Sequence, residues 1–146
     1  MTPRHEDARV AAVIALFEAL QPADLVRLDA YYTADASFKD PFNEVHGVPA
    51  IRAVFEHMYA SLDAPRFVVR EAMAQGDQCF LVWDFLFRFR RPGTPPQCIR
   101  GGTHLRFAAD GRVAMHRDYW DAAEELYEKL PLVGGVMRWL KRRARS

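Results

Sequence analysis

The apolar positions of the chain change period partway along it. Val10, Val13, Ile14, Phe17 and Leu20 recur at helical spacing, which predicts an amphipathic helix from about residue 5 to residue 20. Pro22 suits the first turn of a second, short helix carrying Leu25, Leu28 and Tyr32. Ala36 to Asp40 reads as a short strand, stopped by Pro41. A loop with Gly47 follows, and Pro49 opens a third helix with Ile51, Val54, Phe55, Met58 and Leu62 on one side. After Pro65 the alternation is that of strands: Phe67 to Ala74, then Cys79 to Arg91 beyond Gly76-Asp77. Gln97 to Ala108 is the hairpin partner of that long strand, and Arg112 to Trp120 returns after Asp110-Gly111.

A two-residue turn at Asp110-Gly111 sets a register. It predicts Thr103 opposite Asp118, Leu105 opposite His116, and Arg106 opposite Met115 on the other face. Asp121 and Glu124 form a capping pair for a helix that carries Leu126 and Leu130 and ends near Pro131. Helices followed by antiparallel strands predict an α+β fold. The expected organisation is one domain over residues 1–131 and a basic helical tail over 132–146. The long strand has an apolar face (Leu81, Trp83, Phe85, Phe87, Phe89) and a mixed face (Val82, Asp84, Leu86, Arg88). One face is expected to meet the helices and the other a second subunit, with Trp83, Phe85 and Phe87 assigned to the interface.

Half of the 146 residues are hydrophobic, which suits a globular core, and the net charge of +1 gives no case for nucleic acid. Cys79 and Cys98 have neither C-x-x-C nor metal-ligand spacing and read as small apolar residues of a reducing compartment. No signal peptide is visible, and no apolar run approaches the ~18 residues of a membrane helix, so the expected location is the cytoplasm. Arg138, Lys141, Arg142, Arg143 and Arg145 crowd positive charge at the end of the chain; contact with an anionic membrane surface is a minor alternative to a solvated helix.

The chemistry concentrates in His116-Arg117-Asp118-Tyr119-Trp120-Asp121, where the last strand gives way to a helix. In a strand His116, Asp118 and Trp120 share one face. A carboxylate between an imidazole and an indole on a buried face is costly unless hydrogen-bonded, which makes Asp118 a chemical candidate. His46, His57 and His104 show no ligand spacing, and no glycine-rich phosphate loop, nucleophile elbow or dinucleotide motif occurs. No metal and no cofactor are expected.

The helix–helix–strand–helix start, the Lys39-Asp40-Pro41 step and the long-strand hairpins resemble the superfamily of nuclear transport factor 2, ketosteroid isomerase and SnoaL-like polyketide cyclases, over roughly residues 5 to 130. The resemblance implies a cone-shaped, curved antiparallel sheet on three N-terminal helices, a deep apolar cavity and a homodimer. Asp40-Pro41 matches the Asp-Pro step that holds the general base of ketosteroid isomerase, while Leu16 and Thr103 stand where that enzyme has its oxyanion-hole tyrosine and aspartic acid. Arg117-Asp118-Tyr119-Trp120-Asp121 resembles the Arg-Asp-Tyr-Phe-Asp run of limonene-epoxide hydrolase. That match implies Asp118 as a water-activating base and Asp84 as the acid, with Val82 at the bridging-arginine position, Phe38 at a tyrosine and Asp40 at an asparagine.

The expected site therefore holds Asp118, Asp84 and Asp40 as catalytic candidates, and His116, Trp120, Phe38, Thr103 and Phe55 as substrate-binding candidates, with Phe42 and Met58 also in the wall. The expected activity is cofactor-free acid–base chemistry on a small apolar oxygenated molecule: an isomerase, a cyclase or an epoxide hydrolase. The alternative is a non-catalytic ligand-binding or dimerisation module of the same fold.

Overall fold

The computed structural model describes residues 5–125, 139–140 and 142–144. The expected helix positions Leu126 and Leu130, and most of the basic tail, lie outside the described residues. Helix α1 (Ala8–Ala19) is followed by a 3₁₀ segment (Pro22–Ala30), strands β1 (Tyr32–Lys39) and β2 (Glu44–His46), and helix α2 (Val48–Ser61). Strands β3 (Leu62–Gln75), β4 (Gln78–Phe89), β5 (Gln97–Phe107) and β6 (Val113–Tyr119) complete the sheet, and a short α3 (Ala122–Glu125) follows. No described helix is long and apolar enough to cross a membrane.

The six strands run in the order β2-β1-β6-β5-β4-β3. This corrects the expected cone: the order is linear, β2 and β3 are edges, and the sheet does not close on itself. Nor is it wholly antiparallel, since β1 runs parallel to β6. The edges give the physical reason. β2 is only Glu44–His46, and β3 carries Pro65, whose nitrogen has no proton to offer a neighbouring strand. The β3–β4 register shifts between Asp63 and Arg66, beside Ala64 at φ 50°.

Helices α1 and α2 cover one face of the sheet, and the alternation in β4 shows why. Cys79, Leu81, Trp83, Phe85 and Phe87 are buried, while the residues between them are only partly covered. Tyr32, expected on the second helix, instead begins β1 and pairs with Val113. Its spacing from Leu28 fits a helical turn, but pairing with β6 overrides that local pattern.

The β5–β6 register is the expected one, with Thr103 opposite Asp118, Leu105 opposite His116 and Arg106 opposite Met115. The turn that delivers it differs. The Ala108 N–H donates to the Arg112 carbonyl, the Gly111 N–H donates to the Ala108 carbonyl, and Gly111 takes φ 87°. Ala109 thus joins the turn. The register shift between Arg106 and Phe107 leaves Ala114 unpaired and restores the frame.

Asp7 caps α1 by accepting from the Arg9 N–H at 2.9 Å. The Arg9 guanidinium bonds the same carboxylate at 2.8 Å and Asp77 of the β3–β4 turn at 2.9 Å, tying the helix start to that hairpin. The hydrogen bond from Arg9 lowers the Asp7 carboxyl from 3.8 to about 2. Asp7→Ala is expected to lose about 1 kcal/mol in urea unfolding near neutral pH, and Asp7→Asn, which still caps, much less. A depressed carboxyl stabilises above its unfolded value, so the wild-type advantage over Asp7→Ala should fade as pH falls from about 4 towards 2.

Candidate functional site

Strand β6 places His116 and Asp118 on the helix-covered face, two residues apart. β5 brings Thr103 opposite Asp118, and β1 brings Phe38 beside His116. A chain of hydrogen bonds joins them. Trp83 Nε1–H donates to Thr103 Oγ1 at 2.7 Å, and the Thr103 hydroxyl donates to Asp118 Oδ1 at 2.6 Å. The same Oδ1 lies 2.7 Å from His116 Nε2, and His116 Nδ1 lies 2.8 Å from the Tyr32 hydroxyl. Thr103, His116 and Tyr32 are buried, and the Asp118 side chain keeps 15% of its surface accessible. A largely covered carboxylate is stable here because two donors meet one of its oxygens. No partner for Oδ2 occurs among the described residues.

Asp118 lines a cavity of about 350 Å³ between α2 and the sheet. Its wall is mostly rings and aliphatic groups: Phe38, Phe55, Met58, Trp83, Phe85 and Phe87. Phe42 and Trp120 meet edge to face at 5.5 Å near its outer end, beside Asp40 and Asn43. A hollow of about 20 Å³, enough for one water, lies behind it among Phe17, Thr103, His116 and Asp118. Asp118 therefore separates a ligand-sized space from the core. A broader depression of about 870 Å³ lies elsewhere, on the outer face of the sheet among Met73, Phe80, His104 and Tyr119.

The structure brings Asp118, Asp40, Phe38, Phe55 and Trp120 to one cavity and sets His116 and Thr103 behind the carboxylate. Asp40 lines the cavity as part of a turn. Its Oδ1 accepts from the Phe42 and Asn43 N–H groups at 2.8 and 2.7 Å and from Asn43 Nδ2 at 3.1 Å. Asp84 is not brought to Asp118. It projects from the opposite face of β4 and is held by Arg70 Nε at 2.8 Å. The run Leu81, Trp83, Phe85, Phe87 marks the inner face of β4, so an acid at an even-numbered position between them faces outward. Val82 shares that outer face, and Leu16 is buried in α1.

Trp83, Phe85 and Phe87 form the cavity wall, which corrects their assignment to a subunit interface. The sequence reading missed three contributors. Tyr32 was read as helical. Trp83, assigned above to an interface, turns into the cavity wall, and its N–H finds the hydroxyl of Thr103, which lies diagonal to it on β5. Gly101 carries no signal in its local sequence; it faces Trp83 across β4 and β5. A Cβ there would lie 2.6 Å from the Trp83 ring and 3.0 Å from the Trp120 Cβ, so only glycine lets the indole lie across the strand. Among the described residues no three His, Cys, Asp or Glu side chains gather as metal ligands.

A model of the SnoaL-like domain matches residues 13–116, and the chain belongs to that family. No curated protein sequence matches it. Solved structures share the fold. A proposed SnoaL-like polyketide cyclase from Shewanella putrefaciens has a TM-score of 0.69 at 19% identity, over 84% of this chain and 98% of that one. AclR, a proposed hydroxylase from Streptomyces galilaeus, scores 0.68 at 21% identity, over 84% and 97%. A Catenulispora acidiphila protein of ketosteroid isomerase-like fold, in complex with trimethylamine, scores 0.69 at 18% identity, over 82% and 90%.

Gly101→Ala is expected to displace the Trp83 ring and cost about 1–3 kcal/mol, the usual range for overpacking a core. Urea unfolding measures the cost, and an unchanged midpoint would refute the close fit.

Proposed function

We propose that the chain is a cofactor-independent proton-transfer enzyme of the isomerase or cyclase type, with Asp118 as its base and a small, largely apolar carbonyl compound as its substrate. The observation that carries this reading is the Asp118 carboxylate in the wall of a ring-lined cavity, with Oδ1 held by two donors. Asp118 removes a proton from the carbon beside the carbonyl, leaving an enolate and a carboxylic acid. Return of that proton to another carbon completes an isomerisation. Alternatively the enolate carbon attacks a second carbonyl of the substrate, and the acid protonates the new alkoxide.

Two features favour this chemistry over epoxide opening. Epoxide hydrolysis needs an acid across from the base, and the expected acid, Asp84, is paired with Arg70 outside the cavity. Proton transfer needs one carboxylate. Thr103 spends its hydroxyl proton on Asp118, so it offers none to an oxyanion. The suitable substrate therefore spreads its own negative charge, as an aryl ketone or polyketide-like aromatic does.

The test is hydrogen–deuterium exchange beside the carbonyl of aryl-substituted cyclic ketones, followed by NMR in D₂O. Wild type is expected to accelerate exchange, and Asp118→Asn to lower the rate by about 100-fold. Ligand-induced thermal stabilisation should persist in the variant. Exchange that is unchanged in Asp118→Asn overturns the assignment. Asp84→Asn is expected to leave the rate within about twofold, because surface substitutions away from the site have small effects.

A second reading, a non-catalytic binding module, draws support from the cavity lining. It combines many rings with Asp118 and Asp40 and includes no Lys or Arg among the described residues. Such a lining suits a small organic cation, and the Catenulispora protein of like fold is a trimethylamine complex. Stabilisation by alkylammonium ions without exchange of any ketone would favour this reading.

A further inference from the structure

We infer that Tyr32 and His116 are a positioning pair: the Tyr32 hydroxyl holds the imidazole in the tautomer protonated on Nε2, so that Asp118 always meets a donor at Oδ1 and reacts through Oδ2. The kinetic part of this inference rests on the proton-transfer reading; the tautomer itself does not.

Both ring nitrogens are engaged, Nδ1 by the Tyr32 hydroxyl at 2.8 Å and Nε2 by Asp118 Oδ1 at 2.7 Å. Tyr32 is 1% exposed. Burial, and secondarily the charge of Asp118, push its phenol well above its ordinary range, so it keeps its proton and acts as a donor. Among the described residues its hydroxyl has no other hydrogen-bond partner, so it donates to Nδ1. A nitrogen that accepts carries no proton, and the remaining ring proton falls on Nε2, facing a carboxylate that can only accept. The opposite tautomer would set Nε2 and Oδ1 lone pair to lone pair.

The packing leaves the ring little freedom to turn over. Phe38 lies 4.5 Å from it centroid to centroid, and Phe17 meets it edge-on at 5.6 Å. The titratable groups against it are Tyr32 from β1 and Asp118 from β6; α1 contributes Phe17. His116 lines only the small inner hollow, whereas Asp118 lines both that hollow and the cavity. The order is thus the reverse of a dyad in which imidazole meets the substrate. Here the carboxylate stands in front and the imidazole supports it from the core.

The tautomer is directly readable. In protein labelled with ¹⁵N at histidine, long-range ¹H–¹⁵N spectra near neutral pH distinguish protonated from accepting ring nitrogens. The His116 signals are those missing from His116→Gln. Wild type is expected to show Nε2 protonated and Nδ1 as an acceptor; the reverse pattern, or two protonated nitrogens, overturns the inference. In Tyr32→Phe the Nδ1 signal is expected to lose its hydrogen-bonded signature and the two tautomers to mix. Ketone exchange should then fall about tenfold, the scale of one lost hydrogen bond, with ligand-induced stabilisation unchanged. A His116 spectrum unaltered by Tyr32→Phe removes Tyr32 from the role. If that variant does not fold, the wild-type spectrum still decides the tautomer, and it does so even if no ketone exchanges.

Discussion

The site depends on one oxygen atom. Asp118 Oδ1 receives hydrogen bonds from β5 through Thr103 and from within β6 through His116, and behind those donors stand Trp83 on β4 and Tyr32 on β1. Four strands therefore meet at a single carboxylate. An unpaired charge at this depth would be costly. Two donors offset that cost and fix the carboxylate's orientation. The arrangement also occupies the polar groups of Thr103, His116 and Trp83 around it. The Thr103 hydroxyl and both His116 nitrogens are occupied, so Asp118 is the polar group the deep end of the cavity offers to a ligand.

That economy narrows the chemistry within the SnoaL-like family. The structure has a carboxylate in an apolar chamber, with Leu16 packed in the core and Thr103 turned to that carboxylate. Under the proposed proton transfer, the burden of stabilising a developing anion passes to the substrate. Asp40 sits at the same cavity but works as a turn former, its Oδ1 accepting from the Phe42 and Asn43 N–H groups just before β2. An Asp-Pro step is thus compatible with two roles that local sequence does not separate, and the distribution of donors around it decides between them.

Much of this was legible in the sequence, and the failures have specific causes. The β5–β6 register could be read because Asp110-Gly111 marks the turn and alternation sets the face, which put Thr103 and His116 with Asp118. Resemblance and parity conflict at Asp84, and parity decides: Leu81, Trp83 and Phe85 claim the inner face of β4, which turns Asp84 outward to Arg70. Tyr32 was hidden because its partner, Val113, is far along the chain and parallel pairing leaves no local trace. The open, mixed sheet escaped for the same reason. Single positions do not announce a parallel neighbour, and the resemblance suggested a different closure. Gly101 could be found only from packing, since nothing near it in sequence indicates an indole lying across the strand.

The hairpin before β6 carries a further consequence. Ala109 is absorbed into the turn and Ala114 is left unpaired in the strand, and the two irregularities cancel before His116 is reached. A tight two-residue turn with an unbroken ladder would deliver the same pairing at Asp118. The bulge therefore uncouples the length of the loop from the orientation of Asp118. An engineered variant can exchange one turn type for the other at this tip while Asp118 keeps facing the chamber, so the surface of the hairpin can change without moving the carboxylate beneath it.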